Sequence, residues 1–585
     1  MPASSVEGDT LLVMDVGAAI TRAMFFDVVE GQYRFVANGQ APSTAEAPYK
    51  DIGEGVRQAI ENLQAVTGRT FLDTDRNLIT PIQEDGNGID AVAATISAGP
   101  TIKTAVVGLL DDVSLASAIR LAETSYTRIV ETISLNDHRK PEEHLDILLH
   151  TRPDLVIIAG GTDSGASHSV QRMLEIVGLA CHLLPPEKRP AALFAGNQSL
   201  AKIVQSSLEP LTLTLRLSPN IRPTLDTEDL DPAVKELARL IPEIRKRYYK
   251  GVDELNLWTN GHILSNAYAQ GRMIRFLSKA YGATKGLLGL DVGVSATTIA
   301  AGFNGKIALS AYPQFGFGEN LAGLLQYVGL ADITRWLALD IPQEAVRDFL
   351  YQKSLYPATI PATREEQAIA QSVARQALIL ALQAARRNFP QGIPMLKPGL
   401  LPLFEPIMAS GGILTNVSNL GQSLLLLLDA LQPVGVTTLI LDQNHLLTAL
   451  GVASERNNIM PIQVLESGAF TNLATVVSVV SSANYGTKVL RARLTYENGN
   501  ETTVEVKFGG LEILPLPSGQ IARLSLQPLR HTDAGFGPGR SGSIRIGGGA
   551  VGFVIDARGR PLVLPGDPVR RRELIKKWLW TVGGI

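Results

Sequence analysis

Between residues 11 and 40, apolar runs of strand length alternate with tight polar turns. LLVMDVG ends in Asp15-Val16-Gly17, TRAMFFDV follows after a turn, and QYRFVANG follows Glu30-Gly31. Short connections between β-rich runs predict a meander of hairpins. From residue 52 the period lengthens. Ile52, Val56, Ile60, Leu63 and Val66 fall on one helical face, and Gly68 is placed to end the helix.

Residues 90–220 alternate β runs (AVAATISAG, TAVVGLL, RIVETISL, DLVIIAGG, AALFAGN) with helical patterns near 113–125, 141–150 and 167–180. That alternation predicts βαβ units in a largely parallel sheet. Residues 219–245, rich in Pro and charge, read as a connection plus a short helix. The opening theme returns at 285–312, where GLLGLDVGVSATTIAAGF and GKIALSAYP predict two or three strands. A mostly helical stretch follows to about 392. Then come the strand EPIMASGG, a helix near 418–432, the strand TTLILD and a helix from His445 to about Ser454. Beyond about 480, VLRARLTYE, TTVEVKFGG and GSIRIGGGAVGFVID alternate apolar and polar residues between Gly and Asn turns. This predicts a separate antiparallel β domain. The basic stretch Arg570–Lys577 reads as a solvated helix.

At 585 residues the chain is too long for one core, and three or four domains are expected. With 53 Lys plus Arg against 56 Asp plus Glu, no global attraction to nucleic acid or anionic membrane follows. The single cysteine, Cys181, excludes an internal disulfide and a Cys-based metal site, and reads as a small buried hydrophobe. Residues 1–10 lack the basic and apolar regions of a signal peptide. The runs Leu424–Leu428 and 467–487 do not read as membrane spans. A cytoplasmic protein is expected.

The candidate chemistry lies in the repeated Asp-Val-Gly. Gripping a nucleotide triphosphate requires charge neutralisation and close backbone approach, which a Gly turn allows, and a strand-end carboxylate can hold hydrated magnesium. The first segment offers Asp15, Gly17 and Thr21. The second, about 276 residues later, offers Asp291, Gly293, Ser295, Thr297 and Thr298. Gly411-Gly412 after the strand of IMASGGIL could let a nucleoside lie against the backbone.

Smaller signals read as follows. The loop Gly160-Gly161-Thr162-Asp163 after DLVII is either a ligand loop at the carboxyl end of a parallel strand or a βα turn with Ser167 as helix cap. The Gly535–Gly552 run has no Gly-Lys-Ser/Thr and reads as a β turn. His138, His144 and His150 read as a solvated helix face.

The two Asp-x-Gly hairpins, the late Gly-Gly and a closing helix with Ala449-Leu450-Gly451 resemble the actin/Hsp70/sugar-kinase (ASKHA) superfamily. LLVMDVGAAITRAMFFDV, GQAPST, DLVIIAGGTDSG, GLLGLDVGVSATT, IMASGGIL and DQNHLLTALGVAS resemble, more narrowly, the glutamate mutase L (MutL-type) family, over about residues 10–455. The resemblance implies an α/β, two-lobed actin-like ATPase (RNase H-like) fold with a βα insert and an added C-terminal antiparallel β domain. Its segments would be a first lobe at 1–90, the insert at 91–260, a second lobe at 261–460 and the β domain at 480–585.

The resemblance further implies ATP and Mg2+ as cofactors, with Asp15 and Asp291 as catalytic and metal-positioning residues. Gly17, Thr21, Arg22, Gly293, Ser295, Thr297 and Thr298 would hold phosphates, and Gly411 and Gly412 would back the nucleoside. The implied function is an accessory, chaperone-like protein acting on subunits of an adenosylcobalamin-dependent carbon-skeleton mutase, with reactivation by an ATPase as its form. A small-molecule kinase and a non-hydrolysing scaffold are the alternatives. The sequence departs from the superfamily pattern at Ala18 and Ala19, where hydroxyls are usual, at Arg22, where Lys is usual, and at Ile299, where an acid is frequent. Each lost hydroxyl–phosphate bond weakens a site by roughly 1.5–3 kcal/mol.

Overall fold

The computed structural model describes residues 9–163, 165–281, 284–529 and 531–584. The signal-peptide expectation, and Ser164 of the Gly160 loop, lie largely or wholly outside these residues. The chain divides into two compact units. One runs to Ala269 and adds Leu309–Pro313 and Thr448–Gln463, and the other holds Gln270–Ala308, Gln314–Leu447 and the chain from Val464.

The first unit opens with β1 (Leu11–Val16), β2 (Ile20–Val29) and β3 (Gln32–Pro42), the expected meander. The helix Ile52–Thr67 follows, capped by the Asp51 carboxylate accepting from the Gly53 amide and closed by Gly68 at φ 71°. Ile52, Val56, Ile60 and Leu63 pack with Leu12, Met14, Val16, Ala23 and Phe25 of the sheet. Val66 instead faces solvent, 68% exposed. Each fully buried aliphatic side chain of this kind contributes roughly 1.5–3 kcal/mol.

β4 (Ala91–Ile96) lies parallel to β1. The sequence pattern assigned it to the insert, but it is a buried strand of the first core sheet, so the insert begins after it. The insert proper carries β5 (Ile102–Val107), β6 (Thr127–Ile133), β7 (Leu155–Ile158), β8 (Ala191–Phe194) and β9 (Leu215–Leu217) in one sheet, ordered β6-β5-β7-β8-β9 and parallel throughout. Apolar clusters cover both faces, as a parallel sheet requires. The region 219–245 holds a full helix, Asp231–Arg245, rather than a short one. β10 (Ile263–Ser265) then returns to pair with β4, giving the first sheet the order β10-β4-β1-β2-β3.

The second unit repeats this plan. β11 (Gly286–Val292) is antiparallel to β12 (Thr297–Phe303) and parallel to β14 (Phe404–Ser410), which is parallel to β15 (Gly435–Leu441). With β13 (Lys306–Tyr312), the order β13-β12-β11-β14-β15 matches β3-β2-β1-β4-β10. This duplicated sheet, with a parallel βα insert and additional antiparallel strands, is the mixed α/β architecture that the resemblance implies.

The C-terminal strands depart from expectation. β16 (Thr471–Ser478), from the charge-poor stretch 467–487, pairs with β15. β17 (Lys488–Tyr496), β18 (Glu501–Lys507), β20 (Ile521–Pro528) and β21 (Gly542–Gly547) form an antiparallel sheet, but β19 (Leu511–Leu514) and β22 (Gly552–Asp556) extend the second core sheet to eight strands. One apolar cluster joins Val436, Val477 and Phe553 to Leu490, Leu494 and Leu524. The stretch after 480 is therefore built onto the second unit instead of standing apart.

Buried charge pins it there. Arg558 donates to Asp429 and Asp556, Arg560 donates to Asp556, Arg375 donates to Asp429, and Arg558 lies 4.6 Å from the Trp578 ring of the C-terminal helix. Burial raises the Asp556 carboxyl, but Arg558 and Arg560 overcome it and hold the group well below the usual carboxylate range. No helix among the described residues is long and apolar enough to cross a membrane.

Candidate functional site

Each unit carries one candidate hairpin, and each hairpin is closed by a glycine. The Gly17 amide donates to the Ile20 carbonyl at 3.1 Å, and the Gly293 amide donates to the Ala296 carbonyl at 3.0 Å. A Cβ at Gly17 would lie 2.6 Å from the Ile20 oxygen, and one at Gly293 would lie 2.9 Å from Asp291 Oδ2. Gly17 is thus demanded by the turn backbone, Gly293 is tight mainly against the Asp291 side chain, and both amides are spent closing their turns.

The strands then place the side chains by register. Asp15 pairs with Arg22 and Asp291 with Thr298, so each pair shares a face. Val16 pairs with Thr21 and Val292 with Thr297, on the opposite face. Thr21 is buried toward the helix Ile52–Thr67, its hydroxyl 3.4 Å from where a Gly55 Cβ would sit. The Thr297 hydroxyl donates to the Phe315 carbonyl at 2.7 Å. These two threonines, expected to hold phosphates, sit on the face away from the aspartates. Ser295 lies in the second turn, against which Gly316 and Gly318 pack so closely that a Cβ at either would reach its backbone.

Three residues that the sequence pattern did not single out contact the aspartates. Thr95, on β4, donates to Asp15 Oδ1 at 3.0 Å, and Asn266, just after β10, donates to the same oxygen at 2.6 Å. Ser410, at the end of β14, donates to Asp291 Oδ1 at 2.8 Å. Their signal is a polar residue at or next to the end of a short apolar strand. Arg22 donates to Asp15 Oδ2 at 3.4 Å. Buried Arg22 Nε and Asn266 Oδ1 have no protein partner.

Gly411, at φ 114°, lets β14 end against β11, since a Cβ there would meet the Val292 carbonyl at 2.3 Å. Gly412 has no such constraint, because its Cβ would meet only the Asn416 side chain at 3.5 Å.

In the insert, Gly160 and Gly196 pack loop on loop, and Asn220 donates to the Gly161 carbonyl and to Asp163 Oδ1, both at 2.9 Å. The Asp163 amide donates to the Pro223 carbonyl, and the Gly165 amide donates to the Thr162 carbonyl. Gly160, Gly161, Thr162 and Asp163 thus form a braced βα turn at the carboxyl end of β7.

The fit of magnesium differs between the two hairpins. Magnesium keeps several waters and needs room around a carboxylate. Asp291 is partly exposed and accepts from Ser410. Asp15 is 1% exposed and already engaged by Arg22, Thr95 and Asn266. Among the described residues, Glu131, Asp137 and His144 are the one group with metal-like spacing. Arg139 fills it, donating to Glu131 at 2.6 Å and to Asp137 at 2.5 Å, and its hydrogen bonding holds the Asp137 carboxyl down to about 2. His144 is buried there, unlike the solvated residue expected. Burial pushes the Cys181 thiol up to about 12, in keeping with an inert core residue.

The sequence profile described as MutL protein matches residues 11–468. The chain belongs to the MutL protein family. The Protein MutL of Clostridium tetanomorphum is 22% identical over 296 residues, covering 50% of this chain and 57% of that protein. The match therefore spans little more than half of that relative. Among solved structures, a nucleotide-free acetone carboxylase is similar at 11% identity and a TM-score of 0.34, over 86% of this chain and 81% of that one. A nucleotide-free diol dehydratase-reactivating factor is similar at 12% and 0.29, over 79% and 100%. The (R)-2-hydroxyglutaryl-CoA dehydratase component A of Acidaminococcus fermentans is similar at 9% and 0.25, over 76% and 96%.

Proposed function

We propose that this MutL-family chain is an ATP-binding accessory protein of an adenosylcobalamin-dependent carbon-skeleton mutase, cycling with nucleotide to reactivate its partner in the cytoplasm. The observation that carries the nucleotide reading is the repeated hairpin. In both units a strand-end aspartate accepts a hydroxyl from the adjacent parallel strand and precedes a glycine-closed turn. Family membership supports the partner class.

In this reading Arg22 neutralises phosphate charge at the first turn, Ser295 and Thr298 serve the second, and Gly412 leaves room for the nucleoside. Magnesium, when bound, supplies Lewis-acid stabilisation of the phosphates. The absence of hydroxyls at Ala18 and Ala19 weakens the hold on phosphate and favours binding with slow turnover over a fast kinase. Calorimetry with ATP and Mg2+ tests the first half of the proposal: heat saturating at micromolar to millimolar ligand is expected, and none at millimolar ligand rejects it. Incubating an inactivated mutase with the chain, ATP and fresh cofactor tests the second. Recovery of activity that needs both ATP and the chain is expected.

A further inference from the structure

We infer that the outward face of the C-terminal helix, Pro568–Thr581, is a docking surface for an acidic segment of a partner protein, with Trp580 as its anchor and Arg570, Lys576 and Lys577 as its cations. The inference rests on the accessory reading above for the class of partner, and deepens it by naming the face that meets that partner.

The inner face of this helix is spent on the second unit. Ile575, Trp578 and Val582 are buried, and the Arg558 guanidinium lies over the Trp578 ring. Below them is the first turn of the helix Leu420–Leu431, where a Cβ at Gly421 would meet the Val582 carbonyl at 1.9 Å and the Gln422 side chain donates to the Gly584 carbonyl at 2.9 Å. The outer face has a different composition. Three, four, seven and eleven residues before Trp580 come Lys577, Lys576, Glu573 and Val569, so all share its side of the helix, with Arg570 at the edge. All are exposed, Trp580 by 75% and Val569 by 55%. The Arg570, Lys576 and Lys577 side chains pair with no carboxylate among the described residues, whereas Arg572 donates to Asp340 at 2.7 Å and Arg571 to the carbonyls of Pro565 and Gly566. Trp and Arg are the side chains that anchor protein interfaces, and cations around an anchor steer an oppositely charged partner. Three cations against the one acid, Glu573, call for carboxylates opposite. A lipid surface fits less well, because an interfacial helix sinks its apolar face into the bilayer, and here that face is buried in protein.

The test is binding of the full chain to a purified, inactivated adenosylcobalamin-dependent carbon-skeleton mutase by biolayer interferometry, with ATP calorimetry and urea unfolding on every variant. Trp580→Ala is expected to weaken mutase binding about tenfold or more. Lys576→Glu combined with Lys577→Glu is expected to weaken it by a similar factor, and to flatten the fall in affinity that the unaltered chain shows between about 50 and 300 mM salt. Because these side chains are exposed, the variants are expected to keep the urea midpoint and ATP affinity of the unaltered chain. The charge pair carries the test if Trp580→Ala does not fold. Unchanged mutase affinity in either folded variant overturns this inference and leaves the accessory reading standing. So does a loss confined to phosphatidylserine vesicles or single-stranded RNA, with mutase binding intact. Absence of mutase binding by the unaltered chain overturns both.

Discussion

The turn after Asp15 and the turn after Asp291 share their backbone and differ in their charge. Both are closed by a glycine amide, both put the aspartate opposite β-strand position seven residues on, and both brace it with a hydroxyl from the parallel neighbour. Yet one aspartate faces Arg22 and is sealed, whereas the other faces Thr298 and is partly open. Backbone hydrogen bonds preserve a turn whatever its side chains do, so a duplicated fold can keep its shape while its halves diverge chemically.

The sharpest way to break the comparison is to remove each carboxylate. Asp15→Ala leaves a buried guanidinium unpaired and is expected to destabilise its unit by about 3–5 kcal/mol. Asp291→Ala loses a hydrogen bond from Ser410 at a partly exposed site and is expected to cost about 1–2 kcal/mol. Urea unfolding of the two variants should separate them clearly, and equal losses would refute the assigned asymmetry.

A somewhat smaller contrast concerns the late glycine pair. Gly411→Ala adds a Cβ against the Val292 carbonyl at positive φ and is expected to cost about 3 kcal/mol, whereas Gly412→Ala is expected to stay within about 1 kcal/mol. The same unfolding experiment reads both.

The second unit also differs in burying Asp556 against two guanidiniums, with Asp429 paired to Arg375 and Arg558. Because the folded Asp556 carboxyl lies below its unfolded value of about 3.9, its contribution is full above about pH 4. It is lost as pH falls through the folded value. Acid titration should therefore loosen the second unit, and Asp556→Asn should remove that part of the acid sensitivity.

The smallest effect concerns Thr297, on the face away from Asp291. Thr297→Val removes the hydrogen bond to the Phe315 carbonyl and is expected to cost about 1–2 kcal/mol while leaving metal affinity unchanged. A large drop in Mn2+ affinity would mean that the face assignment fails.

Much of the core was legible in local pattern. The meander, the helix Ile52–Thr67 and the repeat at 286–303 follow from apolar period, Gly turns and caps, all properties of neighbouring residues. The parallel insert was legible as alternation, but its edge was misplaced because β4 and β5 are both short apolar strands. Only pairing tells that one joins β1 and the other β6. The C-terminal strands looked separate for the same reason: alternation predicts a strand without saying which sheet receives it.

At the candidate site, sequence alone picked out the two aspartates and the glycines of their turns, because tight hairpins need those residue types within a few positions. Tertiary structure decided everything that depends on distance along the chain. It brought Asn266 across 251 residues and Ser410 across 119 onto the carboxylates. It turned Thr21 and Thr297 to the far face, and it sealed Asp15 with Arg22. Strand register fixes the face of a side chain, and register is a property of paired strands that a single strand does not carry.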